Sequence, residues 1–548
     1  MIVTPDEMYA LEEAAFAAGA TPEALMDQVG ERIAWHLLRR AGSEGATVLV
    51  YAGKGNNAGD ALVAAEQFCQ LVRGHDKSGS RYQLRLRVVA DKRSLGPLAQ
   101  KKLAAIPDDV PRLSAEDVAN LARHGGGERR LLILDGLLGL GARGATLREP
   151  IRSAAREINA LRREHGARVV AIDTPSGIDT DSGQPAADTV IADETLAVGF
   201  AKTGLLADAA TNFVGQLHVV RLAELDAAAD MLADVKKEAA TRGALTTSAT
   251  LEGLLPPRAY DAHKGQFGRV GILAGSVGAT GAAVMCSHAA VRAGAGLLTL
   301  YVHREVYPIV AAAAAPEVMV RPLDSPLDLL KPGSPDEPKY DVLAVGPGLG
   351  RAGDSDLREL IEKWPGPMIV DADGLNALAA AGNLDALDRA AGPRLLTPHP
   401  GEMARLRQAS GVDKTKDDEK KSKPSRLEIS RAFTDSRPHV TLLLKGARTL
   451  ISQHGCAPAY NTTGNPGMAT GGMGDVLTGI CAALVGQGLA PFDAARLGAW
   501  VHGRAADFAL RGSRATADGH SGESEESLAA TDLFAHLGAA FRELRLAR

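Results

Sequence analysis

The sequence predicts an α/β protein of two domains, each a parallel sheet layered between helices. Three observations predict it. Short apolar runs repeatedly end in Gly, Asp or Thr-Pro and pass straight into helical stretches, the pattern of strand–turn–helix units. This pattern runs twice, over residues 1–225 and 246–548, on either side of a linker at 226–245, where the alanine-rich, charged stretch Glu224–Lys237 has helical spacing and no strand signal and leads to the polar connector Thr241–Thr250. The chain, at 548 residues with 45% hydrophobic and 23% charged side chains, is also too long for a single core.

Composition excludes several classes. A net charge of −5 supplies no basic field for a nucleic-acid duplex, and 4% aromatics argue against a base-stacking platform. Four scattered cysteines, Cys69, Cys286, Cys456 and Cys481, form no CxxC pair. They argue against zinc and disulfides and favour a reducing cytoplasm. The acidic start Met1–Glu7 has no basic stretch before an apolar run, so no signal peptide is expected. The longest apolar candidate for a membrane span, Val310–Ala315, is bracketed by Pro308 and Pro316, so no membrane partner is expected either.

In the first half, Met8–Leu38 is helical, interrupted at Thr21-Pro22, a cap followed by the first helical position. Thr47–Ala52 is a buried strand that ends in the turn Gly53–Asp60, with a helix expected over Ala61–Leu71. Gly53, Gly55 and Ala58 satisfy GxGxxA, as in a dinucleotide-binding turn, but the acidic residue expected about 20 positions on is missing. Asn56, Asn57 and Asp60 crowd this turn instead. After a strand at Tyr82–Val89, three more strands end in polar turns: Leu131–Asp135 before Gly136–Gly144, Arg168–Asp173 before Thr174–Asp179, and Glu194–Phe200 before Ala201–Gly204. An open parallel sheet binds ligands beyond the carboxyl ends of its strands, so Asn57, Asp135, Asp173 and Ser176 should converge there. Oxygen donors without Cys or His suit a group I or II cation.

The second half repeats the device. Arg269–Ala274 runs into Gly275–Gly281, a helix over Ala282–Arg292 and a strand over Gly296–Val302. Asp341–Val345 ends in Gly346–Gly350, Met368–Val370 in Asp371–Gly374, Leu395-Leu396 in Thr397–Glu402, and Val440–Leu444 in Lys445-Gly446-Ala447. His399, between two prolines, is held rigidly enough to position a substrate, and Lys445 is placed to face nucleotide phosphates. The glycine-rich stretch Asn461–Asp475 must be a loop, and Val476, Leu477, Ile480 and Leu484 share one face of the helix that follows. Gly471, Gly472 and Gly474 leave backbone N–H groups bare at that helix N-terminus, an anion hole suited to phosphoryl oxygens. Asp475 at its mouth either caps the helix or takes a proton from a hydroxyl meeting a phosphate. Asp413–Arg426 and Gly512–Ser527 read as mobile solvated insertions, and Thr531–Leu546 as the last helix.

These motifs carry two resemblances. The first half resembles the NAD(P)H-hydrate epimerase domain, whose motifs run GxGNNGGD, DALLGTG and DIPSG. The resemblance implies that Asn57, Asp135 and Ser176 hold potassium and that Asp173 is the acid/base residue. It also implies that Asn56, Asn57, Ala58, Gly59 and Asp60, with Gly139, Leu140, Gly141, Ala142, Arg143 and Gly144, cradle the nucleotide. Ala58 stands where the family has glycine, Leu140 where it has threonine, and Thr174 where it has isoleucine.

The second half resembles the ADP/ATP-dependent NAD(P)H-hydrate dehydratases of the ribokinase-like superfamily. The matching motifs are HKGxFGRVxxxAGS at His263–Ser276, GPGLG at Gly346–Gly350, DADGLN at Asp371–Asn376, TPHPGE at Thr397–Glu402 and NPGMATGGMGDVL at Asn465–Leu477. Met473 replaces a threonine. The resemblance implies Asp475 as the catalytic residue, and Ala282, Gly348 and His399 on the substrate. Lys445, Gly446, Ala447, Arg448 and Thr449, with Gly471, Gly472 and Gly474, are implied for the nucleotide. The fold class is then a Rossmann-like three-layer sheet followed by a ribokinase-like domain. The implied activities are epimerisation of hydrated NADH and NADPH (NADHX and NADPHX) and nucleotide-dependent dehydration of the S form. Potassium, ADP or ATP, magnesium and a homo-oligomeric state are implied with them. A ribokinase-type small-molecule kinase shares the GxGD loop. An RNA-associated dimerisation scaffold shares the first fold, though the retained Asp60, Asp135 and Asp173 argue against that use.

Overall fold

Every backbone group of a buried parallel strand is paired, and both its faces meet side chains, so such strands read as continuous apolar runs. The computed structural model, which describes residues 1–75, 81–123, 130–141, 146–255, 257–331, 339–411, 424–511 and 522–546, has two sheets built this way. They belong to separate compact units, Met1–Gly243 and Ala244–Arg548.

The first unit holds β1 (Ile2–Val3), β2 (Ala46–Ala52), β3 (Tyr82–Val88), β4 (Leu131–Gly136), β5 (Arg168–Ile172), β6 (Glu194–Val198), β7 (Ala201–Lys202) and β8 (Gln216–Val220). Six form one parallel sheet in the order β3-β2-β4-β5-β6-β8, while β1 pairs separately with β7. Alternate residues divide the core. Val48, Val50, Leu132 and Leu134 face one helical layer with Ile33 and Leu62, and Leu49, Tyr51 and Ile133 face the other with Ile158. This is the three-layer sheet expected. The order in which strands are added reverses between β2 and β4, β3 lying on one side of β2 and β4 on the other, which opens a crevice at their carboxyl ends.

Local sequence sets the helix ends. Thr4 and Glu7 form a reciprocal capping box on the helix Pro5–Ala17. Thr21 caps Pro22–Ala41, with Pro22 in the first turn as expected. The helix expected from Ala61 instead begins at Asn56, so Asn56–Asp60 is its first turn and not a loop. The cause is packing: a Cβ on Gly59 would stand 2.4 Å from Met26 Cε, and one on Gly30 2.3 Å from Val63 Cγ1. These glycines let two helices touch. The linker 226–245 is helical, as expected over Glu224–Lys237, but as two helices, Ala223–Met231 and Ala233–Arg242, and it ends in the strand Ala244–Thr246, which was not expected. Arg242 closes onto Ile2 O at 3.1 Å and onto Glu7.

The second unit has β9 (Ala244–Thr246), β10 (Arg269–Leu273), β11 (Leu297–His303), β12 (Met319–Leu323), β13 (Val342–Val345), β14 (Met368–Val370), β15 (Arg394–Leu396), β16 (Val440–Leu444), β17 (Leu450–Gln453) and β18 (Ala459–Asn461). Their order is β12-β11-β10-β13-β14-β15-β16-β17-β18-β9, parallel except where β17 meets β16 and β18. The helices Thr280–Arg292, Met473–Gly486 and Pro491–Arg511 cover one face, with Ala289, Ile480 and Val501 in the core. Leu360, Leu378 and Leu406 pack on the other. Gly479 is again a contact glycine, since a Cβ there would lie 2.1 Å from Cys286 O. The insertions expected at Asp413–Arg426 and Gly512–Ser527 fall mostly outside the described residues. Among the described residues no helix is long and apolar enough to cross a membrane.

Two candidate active sites

The turn after β5 is wound tightly. Asp173 has φ +63°, uncommon for a residue with a side chain, and its N–H donates to Leu196 O at 2.8 Å. The carboxylate faces a cavity of about 430 Å³ at the β2/β4 switch point. There its Oδ1 accepts from the Val198 N–H at 3.1 Å and from Lys202 Nζ, while Nζ also donates to Val198 O at 2.8 Å. Lys202 is 1% exposed, so Asp173 and Lys202 make a buried ion pair on the cavity wall. Asp60 and Glu12 line the same cavity. Burial, reinforced by Asp173 and then Glu12, drives the Asp60 carboxyl well above its ordinary range. Burial also raises Glu12, against the pull of Lys202.

Beside this cavity lies an oxygen cage. Asp135 is fully buried, and its oxygens accept from Ser176 Oγ at 2.7 Å, Ser176 N at 2.9 Å and Leu137 N at 3.1 Å. Ser176 Oγ accepts from Leu138 N at 3.0 Å. The Asn57 amide donates to Leu138 O at 2.7 Å and Ile172 O at 3.2 Å. Burial raises Asp135 to about 6, against its hydrogen bonds, and no cationic side chain pairs with it among the described residues. A carboxylate, a hydroxyl, an amide and two carbonyls around an uncompensated buried charge fit a hard monovalent cation.

The structure thus brings Asn57, Asp135, Asp173 and Ser176 to one strand-end region. Asn56, Asn57, Asp60, Gly139, Leu140 and Gly141 line the cavity. Ala58 is buried in the core and Gly59 packs on Met26, so neither faces the cavity. Ala142, Arg143 and Gly144 lie outside the described residues. Sequence reasoning missed Lys202 and Glu12. A lysine among apolar residues at a strand end was the available signal for the first; Glu12, on an ordinary amphipathic helix, gave none.

In the second unit the helix expected from Val476 starts at Met473, capped by Gly472 at φ +88°. Gly474 and Asp475 therefore belong to its first turn. A Cβ on Gly471 would meet nothing within 4 Å, so its backbone is open to a ligand. One on Gly474 would sit 3.3 Å from Lys445 Nζ and 3.6 Å from Asp371 Oδ2. Lys445 Nζ donates to Asp371 Oδ1 at 2.8 Å, and Thr478 Oγ1 to Asp371 Oδ2 at 2.7 Å. Burial pulls Lys445 down, but Asp371, Glu402 and Asp475 together outweigh it and leave the ammonium above its ordinary value. Asp475 is raised to about 6, mainly by burial and then by Asp371, with Lys445 opposing. Under this loop His502 is buried and lowered to about 4, by burial first and then by Lys445.

His399 caps the helix Pro400–Ser410: its Nδ1 accepts from Gly401 N at 3.0 Å and Glu402 N at 3.3 Å. The proton of the neutral ring therefore sits on Nε2. Gly348, at φ +62°, abuts Ala282, whose Cβ lies 2.9 Å from where a Gly348 Cβ would be. Gly446–Thr449 form the turn between β16 and β17, fixed by Thr449 Oγ1 to Gly446 O at 3.2 Å and by Arg426 to Arg448 O at 3.2 Å. Asp371, Thr478 and His502 were missed by sequence reasoning. Asp371 begins a recognised motif, whereas Thr478 and His502 lie within helices and carry no local mark.

The two sites define a class: a Rossmann-like unit with a charged cavity beside an oxygen cage, fused to a second α/β unit with a bare helix N-terminus and a carboxylate. Residues 270–521 match the family model described as NAD(P)H-hydrate dehydratase, and residues 22–204 match that of the YjeF-related protein N-terminus. The bifunctional NAD(P)H-hydrate repair enzyme of Moorella thermoacetica is 36% identical over 93% of this chain and 92% of its own. That of Coxiella burnetii is 35% identical over 96% of each. That of Escherichia coli is 35% identical over 92% of this chain and 89% of its own. The chain belongs to the family of bifunctional NAD(P)H-hydrate repair enzymes.

Proposed function

We propose that residues 246–548 dehydrate the S epimer of hydrated NADH or NADPH at the expense of ADP or ATP, and that residues 1–225 interconvert the R and S epimers. The observation that carries this reading is Asp475 in the first helical turn, with the open backbone of Gly471 ahead of it and the Lys445 ammonium acting on it. An alcohol and a phosphoryl donor can meet between them. Asp475 takes the proton of the ring C6 hydroxyl as its oxygen bonds to the terminal phosphorus, and the donor leaves one phosphate shorter. The amides and Lys445 offset the charge of the moving phosphoryl group. The ring nitrogen lone pair then expels phosphate from C6, and loss of the C5 proton restores the double bond. Gly348, Ala282 and His399 hold the hydrate, and the turn Lys445–Thr449 holds the nucleotide.

Magnesium would supply charge neutralisation on the donor phosphates; Asp371 is already held by Lys445 and Thr478, which leaves Asp373 as the hard oxygen donor that would hold it. Asn57, Asp135 and Ser176 would hold potassium, which would supply a fixed positive charge beside the epimerase cavity. Asp173 moves a proton at C6 during epimerisation. Four free cysteines fit a reducing cytoplasm. The test is dehydration of the S epimer with ADP and with ATP. Asp475→Asn should lower kcat by about 100-fold or more with the melting curve unchanged. Near-normal turnover by that variant would remove Asp475 from the chemistry.

A further inference from the structure

The epimerase cavity holds more carboxyls than one proton acceptor requires. Asp173 is partnered by geometry: one of its oxygens receives both the Val198 N–H and the Lys202 ammonium. Asp60, from the first turn of the helix Asn56–His75, lines the same cavity but receives no hydrogen bond or ion pair among the described residues. A half-buried carboxyl without a partner, set beside other carboxyls, is cheaper to keep as the neutral acid than as an anion. Burial and the neighbouring Asp173 and Glu12 push Asp60 in that direction. The cavity wall carries three carboxyls and two ammoniums, those of Lys202 and the exposed Lys54, and among the described residues only Asp173 of the three carboxyls is ion-paired. That is the arrangement that lets two like groups do opposite proton work.

We propose that Asp60 is the proton donor of the epimerase site, paired with Asp173 as proton acceptor, and that Lys202 is the positioning residue that keeps the two roles apart. The proposal rests on the epimerase reading of residues 1–225 and extends it. The Asp60 carboxyl gives its proton to the C6 hydroxyl. The C6–O bond breaks as the ring nitrogen lone pair forms a C6–N double bond, and water leaves. The cationic ring stands next to the Asp173 carboxylate. Water then adds to C6 from the other face, its oxygen forming the new C–O bond and its proton passing to Asp173. One water is lost and one gained. Asp60 has given up a proton and Asp173 holds one, so the reverse conversion uses the same groups with roles exchanged, or solvent in the open cavity returns the proton.

The full chain is assayed for conversion of purified R epimer to S in ¹⁸O-labelled water, with spontaneous epimerisation subtracted. Wild type should place ¹⁸O at C6 of the product. Asp60→Asn keeps the size and a hydrogen-bonding head but has no acidic proton. Its kcat should fall by about 100-fold or more with KM changed less than about threefold, and the alkaline limb of the pH profile should vanish. Lys202→Gln should move the acidic limb of the profile upward by about one pH unit or more, and Lys202→Arg should restore much of it. Unchanged kcat with raised KM in Asp60→Asn would make Asp60 a nucleotide contact and overturn the proposal, as would product free of ¹⁸O. If Asp60→Asn does not fold, an unmoved profile in Lys202→Gln overturns it equally. A wild-type chain that does not exceed the spontaneous rate would instead overturn the epimerase reading itself.

Discussion

Asp475 shows how one position can be tuned by its surroundings. In water a carboxylic acid is too weak a base to accept an alcohol proton, but burial and Asp371 lift this one to about 6. The carboxyl is neutral below that value and cannot accept a proton; above it the anion is ready. Dehydration kcat/KM should therefore rise about tenfold per pH unit up to about pH 6 and flatten above it, and a profile flat from pH 4.5 to 8 would show that no such group limits the rate. Lys445 works in the opposite sense, as the charge that stops Asp475 from rising further. Gly474 permits the approach, because even a methyl group there would crowd the ammonium at 3.3 Å.

At the scale of single elements, the edge of the first sheet is tied by charge. Glu194 opens β6 at the strand end away from the cavity, fully buried, and meets His36 at 2.9 Å, Arg168 at 3.0 Å, His218 at 3.3 Å, and Arg40. His36, Glu194 and His218 have the spacing of a metal triad, but two guanidiniums already neutralise the carboxylate and would repel a cation. Burial holds His36 down to about 4, although Glu194 pulls it upward. Above pH 6.5 this histidine is neutral whether folded or not and costs nothing. As pH falls from 6.5 to 4 the unfolded chain takes up a proton that the folded chain refuses, so stability declines across that window. His36→Gln should flatten the decline in melting temperature measured between pH 6.5 and 4.5. A variant that keeps the wild-type slope would place the sensitivity elsewhere, and the buried His502 is then the first alternative.

For the whole molecule, potassium and nucleotide should report on different segments. Hydrogen exchange of the full chain should slow around 131–138 and 172–178 on adding potassium in place of sodium. On adding nucleotide it should slow around 445–449 and 471–477. Protection by potassium confined to the second set would refute the oxygen cage as its site. The central strands of both sheets were legible in the sequence because buried parallel strands are contiguous apolar runs punctuated by polar turns, as at Leu131–Asp135 and Met368–Val370, whereas β8, β9, β12, β17 and β18, short and mostly toward the sheet edges, were not. Helix starts were less legible. Glycine was read as a breaker at Gly59 and Gly474, whereas one serves helix contact and the other admits a charged neighbour. Lys202, Glu12 and His502 were hidden for a different reason: each is an ordinary residue on its own element and becomes chemical only through partners distant in sequence.

Lys202 also lies in the short pairing of β7 with β1, opposite Val3. The second and third residues of the chain thus brace the ammonium that neutralises Asp173. Displacing Ile2 and Val3 would be felt some two hundred residues later as a loosened counter-charge.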